Sequence, residues 1–311
     1  MSLRTDPRIH VSLAHLRGLR GRARAISFRP GQPSRSILNG QHASKIKGRG
    51  LNFEELRHYA PGDDVRTIDW KVTARTGAPY VRVYTEERDR PVLLVVDQRM
   101  SMFFGSVHNM KSVTAAEAAA ITAFRVRDKG DRVGGIIFDD TGLHEMRPHS
   151  SARALNRFLD TLAQANGALS ADAPARTPVP LNRPVEAAAR IVRSGALVMV
   201  FSDFDGWDED TEKNLRRIAQ HNELILFSVL DPTSDQLPPE LDIVVSDGTL
   251  QAQVNVGDDT VRRKLTDFST GRLAALFDFS ARYAVPVIPL TTAEDTLPQL
   301  IRLLGGGRGR G

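Results

Sequence analysis

Hydrophobic positions in this chain follow two periods, and the two alternate along its length. The run PVLLVVD at 91–97 is continuously apolar and β-branched, the pattern of a strand buried on both faces. A polar loop follows, then KSVTAAEAAAITAFRVRDKG, an Ala-rich helical stretch closed by Gly130. DRVGGIIFD at 131–139 predicts the next strand, and GLHEMRPH an edge partner for it. SARALNRFLDTLAQANG predicts a helix ending at Gly167. After the Pro-rich loop ADAPARTPVP, the stretch NRPVEAAARIVRSG predicts a helix with Asn182 as N-cap and Pro184 in its first turn. ALVMVFSDF at 196–204 is a second fully buried strand, DEDTEKNLRRIAQHN a helix and ELILFSVLD a strand. LDIVVSDGTLQAQVNV predicts a hairpin turning at Asp247-Gly248. A helical region over 259–284 precedes the strand VPVIPL, and TLPQLIRLL closes the pattern.

Strands separated by helices of this length predict a mostly parallel sheet with right-handed crossovers and helices on both faces. In such folds ligands sit beyond the carboxyl ends of the strands. Two buried strands end in carboxylates, VLLVVD at Asp97 and VMVFSD at Asp203. If both strands are central, the two acids meet in one crevice. The alternative for either acid alone is that it N-caps the following helix.

Composition narrows the chemistry. The 311 residues include no cysteine, which excludes disulfides, thiolate nucleophiles and Cys-ligated zinc. No apolar run reaches the ~18 residues of a membrane span, and MSLRTDPRIH has no apolar stretch of a signal peptide. A cytoplasmic protein is expected. The net charge of +5 is unevenly placed: residues 1–50 hold 11 Lys and Arg against Asp6 alone, leaving 31 basic and 36 acidic residues in the rest. A basic arm of +10 is thus joined to a body of −5. Such an arm can bind a polyanion, either nucleic acid or a membrane surface, or pack on its own acidic body. Its single aromatic, Phe28, gives base stacking little to work with, so nucleic acid is not the expected partner. Within the arm, HVSLAHLRGLRGRARAI can form a short helix with Leu13 and Leu16 on one face, while 2–7 and 29–41 are too rich in Gly, Pro, Ser and Arg to order by themselves.

Motifs for nucleophile elbows, P-loops, zinc proteases and dinucleotide folds are absent from the sequence, and His144 and His149 lack a ligand-type spacing. Between arm and body lies KGRGLNFEELRHYAPGDDVRTIDWKVTARTGAPYVRVYTEERDR. Pro61-Gly62-Asp63-Asp64 predicts a turn. Asp63, Asp64 and Asp69 alternate with Arg57, Arg66 and Arg75, which predicts a salt-bridge and hydrogen-bond network, with Trp70 as its apolar anchor. This block is either architecture, clamping its segment to the sheet domain, or a partner-binding surface.

Two resemblances follow from these residues. Asp97-x-x-x-Ser101 with the later Asp203 resembles the von Willebrand factor A fold and its metal-ion-dependent adhesion site, where Asp-x-Ser-x-Ser, a loop Thr and a later Asp hold Mg²⁺. Thr177 is the loop threonine that this implies, but Arg99 stands where the middle serine belongs. Gly48, Gly50, Phe53, Leu56, Arg57, Tyr59, the PGDD turn, Arg66, Ile68, Asp69, Trp70, Ala74, Arg75, Arg82 and Glu86-Glu87-Arg88 resemble the signature block of the bacterial family called domain of unknown function 58, over about residues 40 to 300. That resemblance implies an association with MoxR-type AAA+ ATPases.

The expected fold is therefore α/β: a von Willebrand factor A-like, mostly parallel sheet with helices on both faces, plus a smaller N-terminal flanking module. The expected divisions are a basic arm at 1–45, the PGDD/IDW block at 46–90, the A-like domain at 91–304 and a Gly/Arg tail at 305–311. The expected function is a non-enzymatic adaptor or chaperone-like partner of a MoxR-type ATPase and its client proteins, without a small-molecule substrate. Asp97, Ser101, Thr177 and Asp203 would form a degenerate metal site with Arg99 supplying the positive charge and bridging the two carboxylates; no cofactor is expected. Arg57, Tyr59, Asp63, Asp64, Arg66, Asp69, Trp70 and Arg75 would be the network or interface. The alternatives are a working Mg²⁺-dependent protein-binding site, or polyanion binding through the arm.

Overall fold

The structure, a computed structural model, describes residues 6–25, 51–60, 65, 68–86, 90–174, 176–232, 242–246, 251–255 and 259–304. In chain order its elements are α1 (Leu13–Gly18) with a 3₁₀ turn over Leu19–Ala25, β1 (Leu51–His58), α2 (Trp70–Thr76), β2 (Tyr80–Glu86), β3 (Pro91–Asp97), α3 (Lys111–Asp128), β4 (Arg132–Asp139) and β5 (Gly142–His149). They continue with α4 (Ala152–Gly167), α5 (Asn182–Ile191), β6 (Leu197–Ser202), α6 (Glu209–His221), β7 (Glu223–Leu230), β8 (Asp242–Ser246), β9 (Gln251–Asn255), α7 (Asp259–Tyr283), β10 (Val287–Thr291) and α8 (Thr296–Leu304). The chain divides into two compact units: Ala43–Asp89, and Met1–His42 together with Arg90–Gly311.

The larger unit is built on a six-stranded sheet ordered β10-β7-β6-β3-β4-β5. All neighbours are parallel except β5, which returns antiparallel along β4 as an edge strand. This is the mostly parallel α/β sheet, helices on both faces, that the hydrophobic pattern predicts. The continuous apolar runs explain the centre. Side chains alternate across the pleat, so Val92, Leu94 and Val96 enter one core layer and Leu93 and Val95 the other. In β6, Leu197, Met199 and Phe201 likewise oppose Val198 and Val200. Charged and proline-bearing β5 stays half exposed, as suits an edge. A glycine in β4 has a packing reason: a Cβ on Gly135 would lie 2.4 Å from the ring of Phe158, which α4 presses against the sheet.

α3 is apolar nearly all round, and it is buried nearly all round. Its alanines 115, 116, 118, 119, 120 and 123 let the sheet, α4 and the N-terminal segment approach closely. The N-terminal arm, as far as it is described, packs on the body. Val11, Leu16, Leu19 and Ala23 are buried in the core layer around α3, so the described part of the arm is an integral wall of the body. The predicted helix with Leu13 and Leu16 on its inner side is α1, capped by Ser12. Residues 29–41 and most of 2–7 lie outside the described residues. The cap predicted at Asn182 also shifts: Leu181 holds that position, and Asn182 inside the helix donates to Asp208 Oδ2 at 3.2 Å. The β8/β9 hairpin pairs antiparallel from Asp242↔Asn255 to Ser246↔Gln251; its turn at 247–248 lies outside the described residues.

The smaller unit pairs β1 and β2 antiparallel, from Leu51↔Glu86 to His58↔Tyr80, with a bulge between Phe53 and Glu55. α2 starts at Asp69, whose carboxylate accepts from the N–H groups of Lys71 and Val72, and ends at Gly77 with φ 74°. Asp69 therefore works as a helix cap. Trp70, expected as the apolar anchor of the network, is 69% exposed. Tyr59 is half-buried and Arg57 and Arg75 are exposed, and Arg57 Nη1 donates to the His58 carbonyl at 3.1 Å. Asp63, Asp64 and Arg66 lie outside the described residues.

Candidate functional site

β3 and β6 are adjacent in the middle of the sheet, in parallel register with Val96 opposite Phe201. One step further along that register brings Asp97 beside Ser202, and Ser202 Oγ donates to Asp97 Oδ2 at 2.6 Å. Asp203 follows at once. The two acids that terminate buried strands thus share the carboxyl end of the sheet, and both are buried, Asp97 fully and Asp203 to 2% exposure.

Arg99 folds back onto Asp97 from two residues away. Its Nε donates to Oδ1 at 3.0 Å and to Oδ2 at 3.2 Å, its Nη2 to Oδ2 at 2.7 Å, and its main-chain N–H to Oδ1 at 3.0 Å. Two further guanidinium protons go to main-chain oxygens, one from Nη1 to Val179 at 3.2 Å and one from Nη2 to Asp205 at 3.0 Å. The guanidinium carbon sits 5.2 Å from the Phe138 ring centroid, a cation–π contact. Arg99 is 2% exposed. Burial alone would lower its pKa, but Asp97 outweighs this and raises it further above the ordinary range.

Asp203 has a different cation. Lys111, the first residue of α3, donates from Nζ to Asp203 Oδ2 at 2.6 Å. Burial pushes the Asp203 carboxyl up, but Lys111, with Arg272 and Arg99 behind it, holds it well below the usual carboxylate range. The expected bridge of Arg99 across both carboxylates is therefore replaced by two pairs, Arg99 with Asp97 and Lys111 with Asp203. The physical reason is that the guanidinium is committed elsewhere: Arg99 Nε and Nη2 hold Asp97, and Nη1 and Nη2 also donate to the Val179 and Asp205 carbonyls.

Two more acids close the crevice. Asp140 accepts from the Met100 N–H at 2.7 Å and its other oxygen is buried without a partner; burial raises its pKa. Asp205 lies 3.5 Å from Arg272 Nη1, and burial with the neighbouring Asp203 raises its pKa as well. Phe204 between them has φ 58°, in the left-handed region that a bulky residue adopts only under constraint. Its N–H is held by Ser202 Oγ at 2.8 Å.

The residues as arranged do not fit Mg²⁺. An ionised carboxylate offers about four lone-pair directions, and Asp97 spends them on Arg99 N, Nε and Nη2 and on Ser202. Ser101 carries a buried hydroxyl for which the described residues offer no hydrogen-bond partner. Thr177 is exposed on its loop, and it is Val179 of the same loop that meets Arg99. Among the described residues no three of His, Asp, Glu or Cys gather into a metal-holding group.

Sequence reasoning missed Lys111, Ser202, Asp140 and Asp205. Lys111 carries a legible signal: a cation in the first turn of a helix opposes the helix dipole, so something else must hold it there. Ser202 was legible from register once β3 and β6 were taken as neighbours.

The family described as "Protein of unknown function DUF58" matches this chain over residues 55–272. The chain is 30% identical over 275 residues to Uncharacterized protein Rv1480 of Mycobacterium tuberculosis and equally to Uncharacterized protein Mb1516 of Mycobacterium bovis, covering 88% of this chain and 84% of each relative. Among solved structures, the conserved hypothetical protein BatB from Bacteroides thetaiotaomicron aligns with a TM-score of 0.41 at 11% identity, over 68% of this chain and 95% of that chain.

Proposed function

The chain belongs to the family described as Protein of unknown function DUF58, and from that premise we propose that it is a non-enzymatic protein-binding adaptor or chaperone-like partner of a MoxR-type AAA+ ATPase, acting in the cytoplasm. The ATPase partnership comes from the family resemblance of the PGDD/IDW block. The observation that supports a metal-independent, non-catalytic role is the Arg99–Asp97 pair. A carboxylate that accepts from a buried guanidinium, a main-chain N–H and a serine hydroxyl has no lone pair to offer a proton or a cation. Asp203, held ionised by Lys111, is equally poor as a general acid or base near neutral pH. The crevice then acts as a rigid polar plug that fixes the loops around it, and those loops are the surface a partner would read. Among the described residues no helix is long and apolar enough to cross a membrane.

A second reading, a Mg²⁺-dependent contact, is favoured by one atom: the buried, unpartnered Ser101 hydroxyl. The two readings separate in one experiment. The purified chain is mixed at micromolar concentration with the purified MoxR-type ATPase of the same genome. Association is measured by size-exclusion chromatography with light scattering, nucleotide-free, in EDTA and then in Mg²⁺, and the ATPase rate is measured with and without the chain. The proposal expects a complex in both buffers and a changed ATPase rate. No complex in either buffer overturns the partnership, and a complex only in Mg²⁺ overturns the metal-independent reading.

A further inference from the structure

α1 and the first half of α4 wall an open cleft of about 630 Å³, lined by Leu13, Arg17, Arg153, Asn156, Arg157 and Asp160. Its lining carries three guanidinia against one carboxylate, and Asp160 already accepts from Gln164 Nε2 at 3.0 Å. Several other surface arginines are ion-paired, Arg8 with Asp6, Arg190 with Glu145, Arg282 with Glu212 and Asp278, and Arg302 with Glu294; what sets Arg17, Arg153 and Arg157 apart is that all three line one cleft. Among the described residues Arg17, Arg153 and Arg157 have no carboxylate partner, and all three are exposed.

This placement costs the fold stability without a visible return. Arg153 and Arg157 are like charges one helical turn apart, a destabilising i,i+4 pair. Arg153 also stands in the first turn of α4, where a cation opposes the helix dipole and no acid offsets it. Arg17 approaches from the facing wall. Three guanidinia lining one cleft without a carboxylate partner suit carboxylates, which guanidinium binds with two parallel hydrogen bonds.

We infer that this cleft binds an acidic segment of a partner protein. Arg153 and Arg157 take carboxylates spaced one helical turn apart, Arg17 closes on them from α1, and Leu13 gives an apolar side chain of the segment a footing. A nucleic acid fits less well: no aromatic residue lines the cleft for base stacking, and Asp160 lies in the path of a continuous phosphate backbone. The inference extends the protein-binding reading to a second surface. Its test uses a peptide and not the ATPase, so failure of one leaves the other standing.

The probe is a fluorescein-labelled peptide with Glu at i and i+4 flanked by Leu, titrated with the full chain and followed by anisotropy. Inorganic tripolyphosphate and a single-stranded oligonucleotide serve as competitors. The cleft variant is Arg153→Glu with Arg157→Glu. A control of equal charge change, Arg216→Glu with Arg217→Glu, lies on exposed positions of α6. Saturable binding is expected, weakened about tenfold or more by the cleft variant and less than about twofold by the control, with Asp160→Asn strengthening it about twofold. If the cleft variant fails to fold in a thermal melt, Arg17→Glu alone makes the same test. Equal losses in cleft variant and control, absence of saturable binding, or preferential displacement by the oligonucleotide or tripolyphosphate overturns the inference.

Discussion

The guanidinium of Arg99 grips both oxygens of Asp97, only two residues away, while the Arg99 main-chain N–H donates to the same carboxylate. Side chain and backbone of one residue thus close a loop on the other, and both are buried. Such a pair contributes little net stability over a well-packed apolar substitute, but breaking it from one side strands a buried charge, at about 3–5 kcal/mol. Arg99→Met should therefore lower the urea unfolding free energy by roughly that amount. Adding Asp97→Asn should restore part of the loss, because the stranded charge is gone. Additive losses in the double variant would show the two residues to be independent.

Arg99 stands where the adhesion-site motif has a serine, so Arg99→Ser returns an oxygen ligand and frees the lone pairs of Asp97. The variant should bind Mg²⁺ or Mn²⁺ in titration calorimetry where the parent shows no saturable heat. Saturable Mg²⁺ binding by the parent, abolished in Asp97→Ala, would refute this reading of the site.

Lys111 and Asp203 form the second pair, and its pH signature has a definite sign. The folded-state pKa of Asp203 lies below its ordinary 3.8. The pair's stabilisation is thus complete above about pH 4 and is lost as pH falls from there toward the depressed folded value. Lys111→Met should destabilise the protein by about 2–4 kcal/mol at neutral pH. The gap between parent and variant should shrink as urea melts are repeated below about pH 4. A gap that stays constant with pH would mean that the lysine acts through its packing.

The sheet was legible because its signal is redundant. PVLLVV and LVMVF are apolar at every position, and only a strand covered on both faces tolerates that. Asp97 and Asp203 were legible because a carboxylate ending such a run has no bland explanation when it happens twice. The packing of the arm was less legible for the opposite reason. Its charge is obvious, whereas Val11, Leu16, Leu19 and Ala23 are four apolar positions in a stretch of arginines, and only the all-round apolar α3 shows that something must cover it. Trp70 was misjudged because tryptophan's area suggests burial, while its placement at the first position after the Asp69 cap points it outward. The first-turn position of Lys111 signals that it has a partner, but that the partner is Asp203, 92 residues away in sequence, lies beyond local pattern.

Trp70 separates the two readings of the PGDD/IDW block. At 69% exposure it can contribute little to packing, so Trp70→Ala should shift the unfolding free energy by less than about 0.5 kcal/mol. If the block is a partner surface, the same substitution should weaken ATPase association about tenfold or more, as exposed tryptophans at interface centres do. A large loss of stability in a circular dichroism melt would return the block to architecture.

His15 ties the N-terminal wall to the body, and it makes that tie depend on pH. Its Nε2 donates to Glu117 Oε1 at 2.6 Å, and the other oxygen of Glu117 accepts from Thr296 Oγ1 at 2.5 Å, so α1, α3 and α8 meet on one carboxylate. The hydrogen bond to Glu117 raises the His15 pKa above its ordinary 6.5, against partial burial and the positive charge of Arg22. The folded protein therefore holds this proton more tightly than the unfolded chain. The resulting stabilisation is complete below about pH 6.5 and fades as pH rises through the raised folded value. For a pair still partly open to water it amounts to about 1 kcal/mol. His15→Gln keeps a hydrogen-bond donor but cannot titrate. Subtracting its urea midpoints from those of the parent at about pH 5.5, 7 and 9 cancels the other seven histidines, which both proteins share. The difference should favour the parent at the lowest pH and approach zero at the highest. A difference that grows with pH would reverse the sign and show that His15 is held neutral in the folded protein.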